Sequence, residues 1–241
     1  MSWQQRALDR FYNRDRGWVD GTAEFHALAA GAIARGGAIL EIGAGPSNPS
    51  SAFFAGLGQV TGLDVDPEAL TNRSLHQAHV FDGGRFPFED ATFDACVTNY
   101  VLEHVADAAT HFGEVQRVLR PGGVYVLRTP NLYHYMASVS WIMPHWVHVL
   151  IANRLRGISE GAHDPYPTVY AANTKRRIER LAADAGLVVD TLRLIEKEPS
   201  YGMASPILFY PLLAYERVVN ATELLAGLRA NILGVLRRPD R

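Results

Sequence analysis

The chain has 241 residues, of which 48% are hydrophobic and 20% charged, and its formal net charge is -2. This balance is typical of a globular protein with a large core and excludes a disordered chain. The near-neutral charge, without a long basic run, argues against nucleic acid as a partner. A single cysteine, Cys96, excludes an internal disulfide. The first residues lead into charged sequence and not into a secretory signal, so we expect a cytoplasmic protein.

Two short helices are predicted before the first strand. Residues 4–11 and 23–34 have helical patterns, and the segment between them is rich in turn-forming residues. We expect residues 1–36 to form a helical lid over the ligand of the core. Tyr12, Arg16, Trp18 and Thr22 are candidate ligand contacts, and the alternative is that Trp18 only anchors the N-terminal segment.

The stretch Ala-Ile-Leu-Glu-Ile-Gly-Ala-Gly-Pro-Ser at residues 38–47 organises the chain. Its short apolar run predicts a buried parallel strand, and Gly43 and Gly45 permit a tight turn that a ligand can approach closely. Nucleotide-like ligands bind at such strand–turn–helix junctions in α/β sheets. The dinucleotide fingerprint G-x-G-x-x-G/A fits the two glycines, but its third position is Asn48. An acid, Glu41, precedes the first glycine by two residues.

Further segments follow in order. Residues 60–68 predict a second strand that ends at Asp64, followed by a helix with Pro67 near its first turn. A carboxylate at the end of such a strand can accept hydrogen bonds from both hydroxyls of a ribose. Three more segments carry strand and turn signals: His-Val-Phe-Asp-Gly at 79–83 with the Phe-Pro-Phe run to residue 94, Cys-Val-Thr-Asn-Tyr-Val-Leu-Glu-His-Val at 96–105, and Leu-Arg-Pro-Gly-Gly-Val-Tyr-Val at 119–126.

Together these five segments resemble the motifs of the class I S-adenosylmethionine (SAM)-dependent methyltransferases, of the domain type similar to ubiquinone and menaquinone biosynthesis methyltransferases. The first resembles motif I, with Ser47 in place of the third glycine. The resemblance covers residues 39–130. It implies an α/β, Rossmann-like sheet of seven mostly parallel strands in the order 3-2-1-4-5-7-6, with helices on both faces.

The resemblance also implies the cofactor SAM, with S-adenosylhomocysteine (SAH) as its product. Asp64 corresponds to the acid that holds the ribose, Val65 would lie against the adenine, and Asp82 would contact the adenine amine. The full set of implied cofactor contacts is Glu41, Gly43, Ala44, Gly45, Asp64, Val65, Asp82, Gly83, Asn99 and Tyr100. No acid–histidine spacing is typical of a closed metal site, so we expect no metal.

After residue 130 two insertions interrupt the alternation of strands and helices. Residues 132–152 contain no Asp, Glu, Lys or Arg but many aromatic residues, which favours an aromatic lid or interfacial helix over a membrane span. Because an insertion after strand five lies at the carboxyl end of the sheet, we expect it to recognise the substrate. Residues 206–219 predict a helical insertion between strands six and seven. Strand seven is predicted at 232–236, with a terminal helix as the alternative.

The predicted organisation is a single domain, residues 1–241. It comprises the lid at 1–36, a SAM-binding core at 37–130, a substrate-side insertion at 131–172, and the C-terminal part of the sheet at 173–241. A helix over 173–186, with Asn173 or Thr174 as its N-cap, begins this last part. In the helix after strand four, His111 is predicted to lie at the surface.

Three histidines are candidate bases. Methyl transfer is an in-line displacement in which positioning supplies much of the rate, but a polar acceptor gains from a base with a pKa near neutrality. His104 follows the strand-four motif, and its alternative role is structural. His134 follows strand five, and His163 precedes Asp164 in a turn, where a solvated loop pair is the alternative.

The sequence therefore predicts a SAM-dependent methyltransferase that acts on a small-molecule or lipid-like acceptor, at oxygen. The preference for oxygen rests on the available histidines. The aromatic insertion and the helix at 206–219 predict a hydrophobic acceptor or a peripheral contact with a membrane. The alternatives are a non-catalytic SAM-binding or interaction protein and an NAD-dependent Rossmann oxidoreductase, which Asn48 and the downstream motifs disfavour. No oligomeric state is predicted.

Overall fold

The computed structural model describes residues 1–136 and 167–240. Seven strands form one sheet in the order β3-β2-β1-β4-β5-β7-β6, which confirms the predicted order. The strands are β1 (Ala38–Ile42), β2 (Gln59–Asp64), β3 (Gln77–Val80), β4 (Phe93–Asn99), β5 (Leu119–Pro130), β6 (Val188–Ile195) and β7 (Asn231–Arg237). The prediction of a seventh strand, and not the alternative of a terminal helix, is therefore confirmed.

The central strands are parallel and buried. β1 pairs in parallel with β2 and β4, so Leu40 lies beside Thr61 on one side and Cys96 on the other. β4 pairs in parallel with β5, and β2 with β3. Leu40 and Cys96 are fully buried, as expected for a sheet covered on both faces. The single cysteine, Cys96, is therefore a core residue.

Six α-helices are present within the described residues, and side-chain caps account for where most of them begin. They are α1 (Trp3–Phe11), α2 (Gly21–Ala32), α3 (Pro49–Ala55), α4 (Ala108–Val118), α5 (Lys175–Asp184) and α6 (Pro206–Asn220). Asn48, Asp107 and Thr174 each accept a backbone N–H from the first turn of the helix that follows. After β2 the predicted helix is only a short 3-10 turn, Pro67–Thr71.

The prediction for His111 is wrong. Its side chain is buried on the inner face of α4, and its Nε2 is hydrogen bonded to the Tyr125 hydroxyl at 3.1 Å. Position 111 follows Ala108 by three residues and precedes Val115 by four, so the helical period places it on the buried face. Burial lowers the pKa of His111 to about 4, and the ring is therefore neutral at pH 7.

The chain divides into two compact units, and the predicted single-domain organisation stays a prediction. The first comprises residues 1–24, 131–168 and 194–231, and the second comprises residues 25–130, 169–193 and 232–241. In the first unit α1 packs on α6, and Ala7, Tyr12, Phe209 and Leu213 form a buried apolar cluster. Trp18 joins this cluster, with its ring 5.4 Å from that of Tyr12. This packing favours the anchoring role of Trp18.

Candidate cofactor-binding site

The turn after β1 has the geometry that its glycines predict. Gly43 and Gly45 both have positive φ, +71° and +54°, in the left-handed region that favours glycine. A Cβ on Gly43 would stand 2.2 Å from Cγ2 of Val101, so only glycine fits there. A Cβ on Gly45 would meet no atom within 4 Å. The turn is therefore packed on one side at Gly43 and open at Gly45.

Asp64, at the end of β2, supports this turn. Its Oδ2 accepts the Gly45 N–H at 2.8 Å and its Oδ1 accepts the Asp66 N–H at 3.0 Å. These two bonds fix the carboxylate, and each oxygen keeps a second lone pair for another donor. The carboxylate is thus held in a fixed orientation beside the turn and can still accept further donors.

The ends of β2 and β3 bring the other predicted adenine contacts together. Val65 is 45% exposed, although apolar, and its Cγ1 lies 3.8 Å from the position of a Cβ on Gly83. The neighbouring Asp82 is exposed, and its Oδ1 accepts the Gly84 N–H at 2.9 Å. An apolar side chain and an acid therefore lie at the same edge of the sheet, on either side of a glycine with positive φ.

Two buried acceptor oxygens, near the ends of adjacent strands, lack donors. Glu41 is buried on β1, and its Oε2 has no hydrogen-bond partner. Burial raises the pKa of Glu41 to about 7, although a hydrogen bond from Ser51 opposes this rise. Asn99, at the end of β4, donates to the Ser50 hydroxyl at 3.4 Å, but its Oδ1 also has no partner. The α-ammonium group of SAM would supply the missing donors, so these residues fit that cofactor.

Sequence reasoning missed two asparagines that hold the turn. The Asn48 Nδ2 donates to the Ala44 carbonyl at 2.8 Å, while its Oδ1 caps α3. Asn72 is buried, and its Nδ2 donates to the Gly45 carbonyl (3.1 Å) and to the Ser51 hydroxyl (3.0 Å). The position of Asn48 before Pro49 is a recognisable N-cap signal. Nothing near Asn72 in the sequence signals its contact with a turn 27 residues away.

The turn after β4 carries Tyr100 and His104. Tyr100 has positive φ, +59°, which is uncommon for a residue other than glycine, and its N–H donates to the Arg128 carbonyl at 2.9 Å. The Arg128 guanidinium lies 4.4 Å from the centre of the Tyr100 ring. The half-buried His104 follows in the same turn, in the same unit as the glycine turn. Its role as a base stays a prediction.

Of the other two candidate histidines, the structure describes only His134. His134 belongs to the first unit, where its buried Nε2 lies 3.5 Å from Oε2 of Glu196. Burial lowers the pKa of His134 to about 4 and raises that of Glu196 to about 8. His163 lies outside the described residues. Among the residues that the structure describes, no group of three or more metal-ligating side chains converges.

Residues 40–127 match the family described as "Methyltransferase domain". An uncharacterized methyltransferase of Mycolicibacterium vanbaalenii is 33% identical over 135 residues, 52% of each chain. A malonyl-[acyl-carrier protein] O-methyltransferase of Erwinia billingiae is 35% identical over 99 residues, 39% of each chain. The chain thus spans about half or less of the length of these relatives.

Solved structures are similar over most of the chain. The [4+2]-cyclase SpnF superposes with a TM-score of 0.57 at 17% identity, over 90% of this chain and 81% of the other. Such a likeness shows the fold alone. The family match and the sheet order together identify residues 40–127 as a class I SAM-dependent methyltransferase domain. The cofactor of this domain is S-adenosylmethionine.

Proposed function

We propose that this protein transfers the methyl group of SAM to a small-molecule or lipid-like acceptor. The observation that carries the proposal is the Asp64 carboxylate, fixed by the Gly45 and Asp66 amides beside a turn open at Gly45. Bound SAM supplies an activated methyl group, so the protein's own task is alignment. Asp64 would orient the ribose, while Glu41 and Asn99 would hold the ammonium group at the other end.

We further propose oxygen as the atom that is methylated. A hydroxyl or carboxyl acceptor needs a nearby base or an ionised group, and His104 lies on the turn after β4 that also carries Tyr100. The relative from Erwinia billingiae is named as an O-methyltransferase, which also favours oxygen. His134 is the weaker candidate because its burial keeps its pKa far below neutrality.

Binding of SAH tests the cofactor. We expect calorimetric titration to give micromolar binding of SAH and none of NAD, because the third glycine position is Asn48, which caps α3. Binding of NAD alone would instead support the oxidoreductase. A likeness to a [4+2]-cyclase means that this fold need not transfer methyl groups, so turnover is a separate test. Release of SAH in an acceptor screen would exclude a non-catalytic binding protein.

The same titration should depend on pH through Glu41. Its pKa of about 7 means that the carboxyl is largely protonated at pH 6 and ionised at pH 8. Because the ammonium group of SAH favours the ionised form, we expect affinity to rise about tenfold from pH 6 to pH 8. The Glu41→Gln variant cannot ionise, so its affinity should be lower at pH 8 and nearly constant with pH. An unchanged pH slope in this variant would contradict the role of Glu41.

We also propose that the acceptor is met at a membrane surface, by a cytoplasmic protein in peripheral contact. No described helix is both long and apolar enough to cross a bilayer. On α6, however, Ile207, Leu208 and Tyr210 are exposed, and residues 206–214 carry no charge. Phe11 packs edge-on against Tyr210, and the Arg10 guanidinium lies 5.2 Å from the Phe11 ring. Apolar and aromatic residues beside arginine are typical of interfacial helices.

Flotation with phosphatidylcholine vesicles tests this contact. Replacing Ile207 and Leu208 together with serine should reduce the vesicle-bound fraction at least tenfold, because burial of two aliphatic side chains contributes about 3–6 kcal/mol. Val188→Ser, at an exposed apolar residue on β6, is the matched control and should bind like the wild type. If the wild-type protein does not float with vesicles, the membrane proposal is wrong.

A further inference from the structure

A chain of buried hydrogen bonds lies at the end of β5 in the second unit. The Asn173 Nδ2 donates to the Thr129 Oγ1 at 2.6 Å, and the Thr129 hydroxyl donates to Oε2 of Glu103 at 3.1 Å. All three residues are buried, with Thr129 at 0% exposure. Thr129 is the central member, because its single hydroxyl both accepts and donates.

The same residues hold the backbone where the chain leaves the second unit and re-enters it. The chain leaves after Pro130 and re-enters at Val169. Asn173 Nδ2 also donates to the Pro130 carbonyl at 3.0 Å. The Glu103 carbonyl accepts the N–H groups of Val169 and Tyr170 at 2.7 and 3.0 Å. The residues on either side of the segment 131–168, Pro130 and Val169, are therefore held by one hydrogen-bonded group.

This group is continuous with the turn after β4. Glu103 precedes His104, and the same turn begins with Asn99 and Tyr100. The Tyr100 N–H donates to the carbonyl of Arg128, the residue before Thr129. The turn is thus attached to the end of β5 by a backbone bond and by the Thr129–Glu103 side-chain bond.

We propose that Glu103 is a positioning residue for the reaction. Its side chain, through Thr129 and Asn173, and its main-chain carbonyl together fix the 99–104 turn, with its predicted cofactor contacts and His104, to Pro130 and Val169. Glu103 itself touches neither cofactor nor acceptor in this role. The inference rests on the proposed function, because it assigns the cofactor contacts to the 99–104 turn.

Two substitutions of Thr129 test the proposal. Thr129→Val keeps the shape but removes the hydroxyl, which leaves the Glu103 carboxyl and the Asn173 amide without that partner. We expect SAH affinity to fall about tenfold and hydrogen exchange at the Val169 and Tyr170 amides to accelerate at least tenfold. Thr129→Ser keeps the hydroxyl and should restore both within about twofold. Val126→Ala, at a buried residue on the same strand outside the network, controls for loss of stability alone.

The outcomes separate this inference from the proposed function. Equal losses of SAH affinity in Thr129→Val and Val126→Ala would show a general effect of stability and overturn the positioning role. Unchanged SAH affinity and unchanged hydrogen exchange in Thr129→Val would also overturn the positioning role. In that case, normal SAH binding by the wild type would leave the proposed function intact. Failure of the wild type to bind SAH would overturn both. A loss specific to Thr129→Val that serine rescues supports Glu103 as a positioning residue.

Discussion

Replacing Asp64 with alanine should weaken SAH binding at least 100-fold and leave the fold intact. The variant loses the proposed acceptor for the ribose hydroxyls and the group that holds the Gly45 N–H. Hydrogen bonds to charged groups contribute about 1.5–3 kcal/mol each, so two lost bonds correspond to about 3–6 kcal/mol. Because the side chain is only partly buried, water can replace it at the Gly45 and Asp66 amides, and the thermal unfolding temperature should change little.

Calorimetric titration with SAH measures this effect, with circular dichroism as the test of folding. Glu68→Gln is the control, because Glu68 is an exposed acid near the same edge of the sheet. It removes the same formal charge without touching the turn, and its affinity should stay within about twofold of the wild type. If Asp64→Ala binds SAH like the wild type, the assignment of this carboxylate to the cofactor is wrong.

Replacing Gly43 with alanine should lower both stability and SAH binding. The new Cβ would stand 2.2 Å from the Val101 Cγ2, and the residue would keep a φ of +71°. Overpacking costs about 1–3 kcal/mol and left-handed backbone about 1–2 kcal/mol, or about 2–5 kcal/mol together. For a chain of this size each kcal/mol lowers the unfolding temperature by about 2–4 °C, so we expect a fall of roughly 5–20 °C.

Gly45→Ala separates the two causes. Gly45 has a similar positive φ, but a Cβ at this position would meet nothing within 4 Å. Gly45→Ala should therefore lose only the stability that the left-handed backbone costs. The double variant Gly43→Ala with Val101→Ala removes the clashing methyl group and should recover part of the stability lost in Gly43→Ala. If Gly43→Ala and Gly45→Ala are equally stable by calorimetric unfolding, the contact with Val101 does not limit the turn.

Much of the fold could be predicted from the sequence, because helix caps, helical periods and glycine turns depend on neighbouring residues. Helix α4 follows from a capping Asp107 and a helical period, and α6 lies where its apolar run predicts it. The glycine turn follows from residues that tolerate positive φ. His111 was predicted at the surface, although its helical period places it on the buried face of α4. Tyr125 supplies the hydrogen bond that permits its burial.

The sequence by itself determined the class of sheet, the turn after β1 and the acids that end β1 and β2, since motif spacing and backbone preference encode them. Only the tertiary structure decided how the turn is held. Asn72 reaches the turn from 27 residues away, and Asn173 reaches Thr129 from 44 residues away. The tertiary structure also shows that His134 is buried beside Glu196, a residue distant from it in the sequence. Such contacts depend on the packing of distant segments, and neither periodicity nor propensity records that packing.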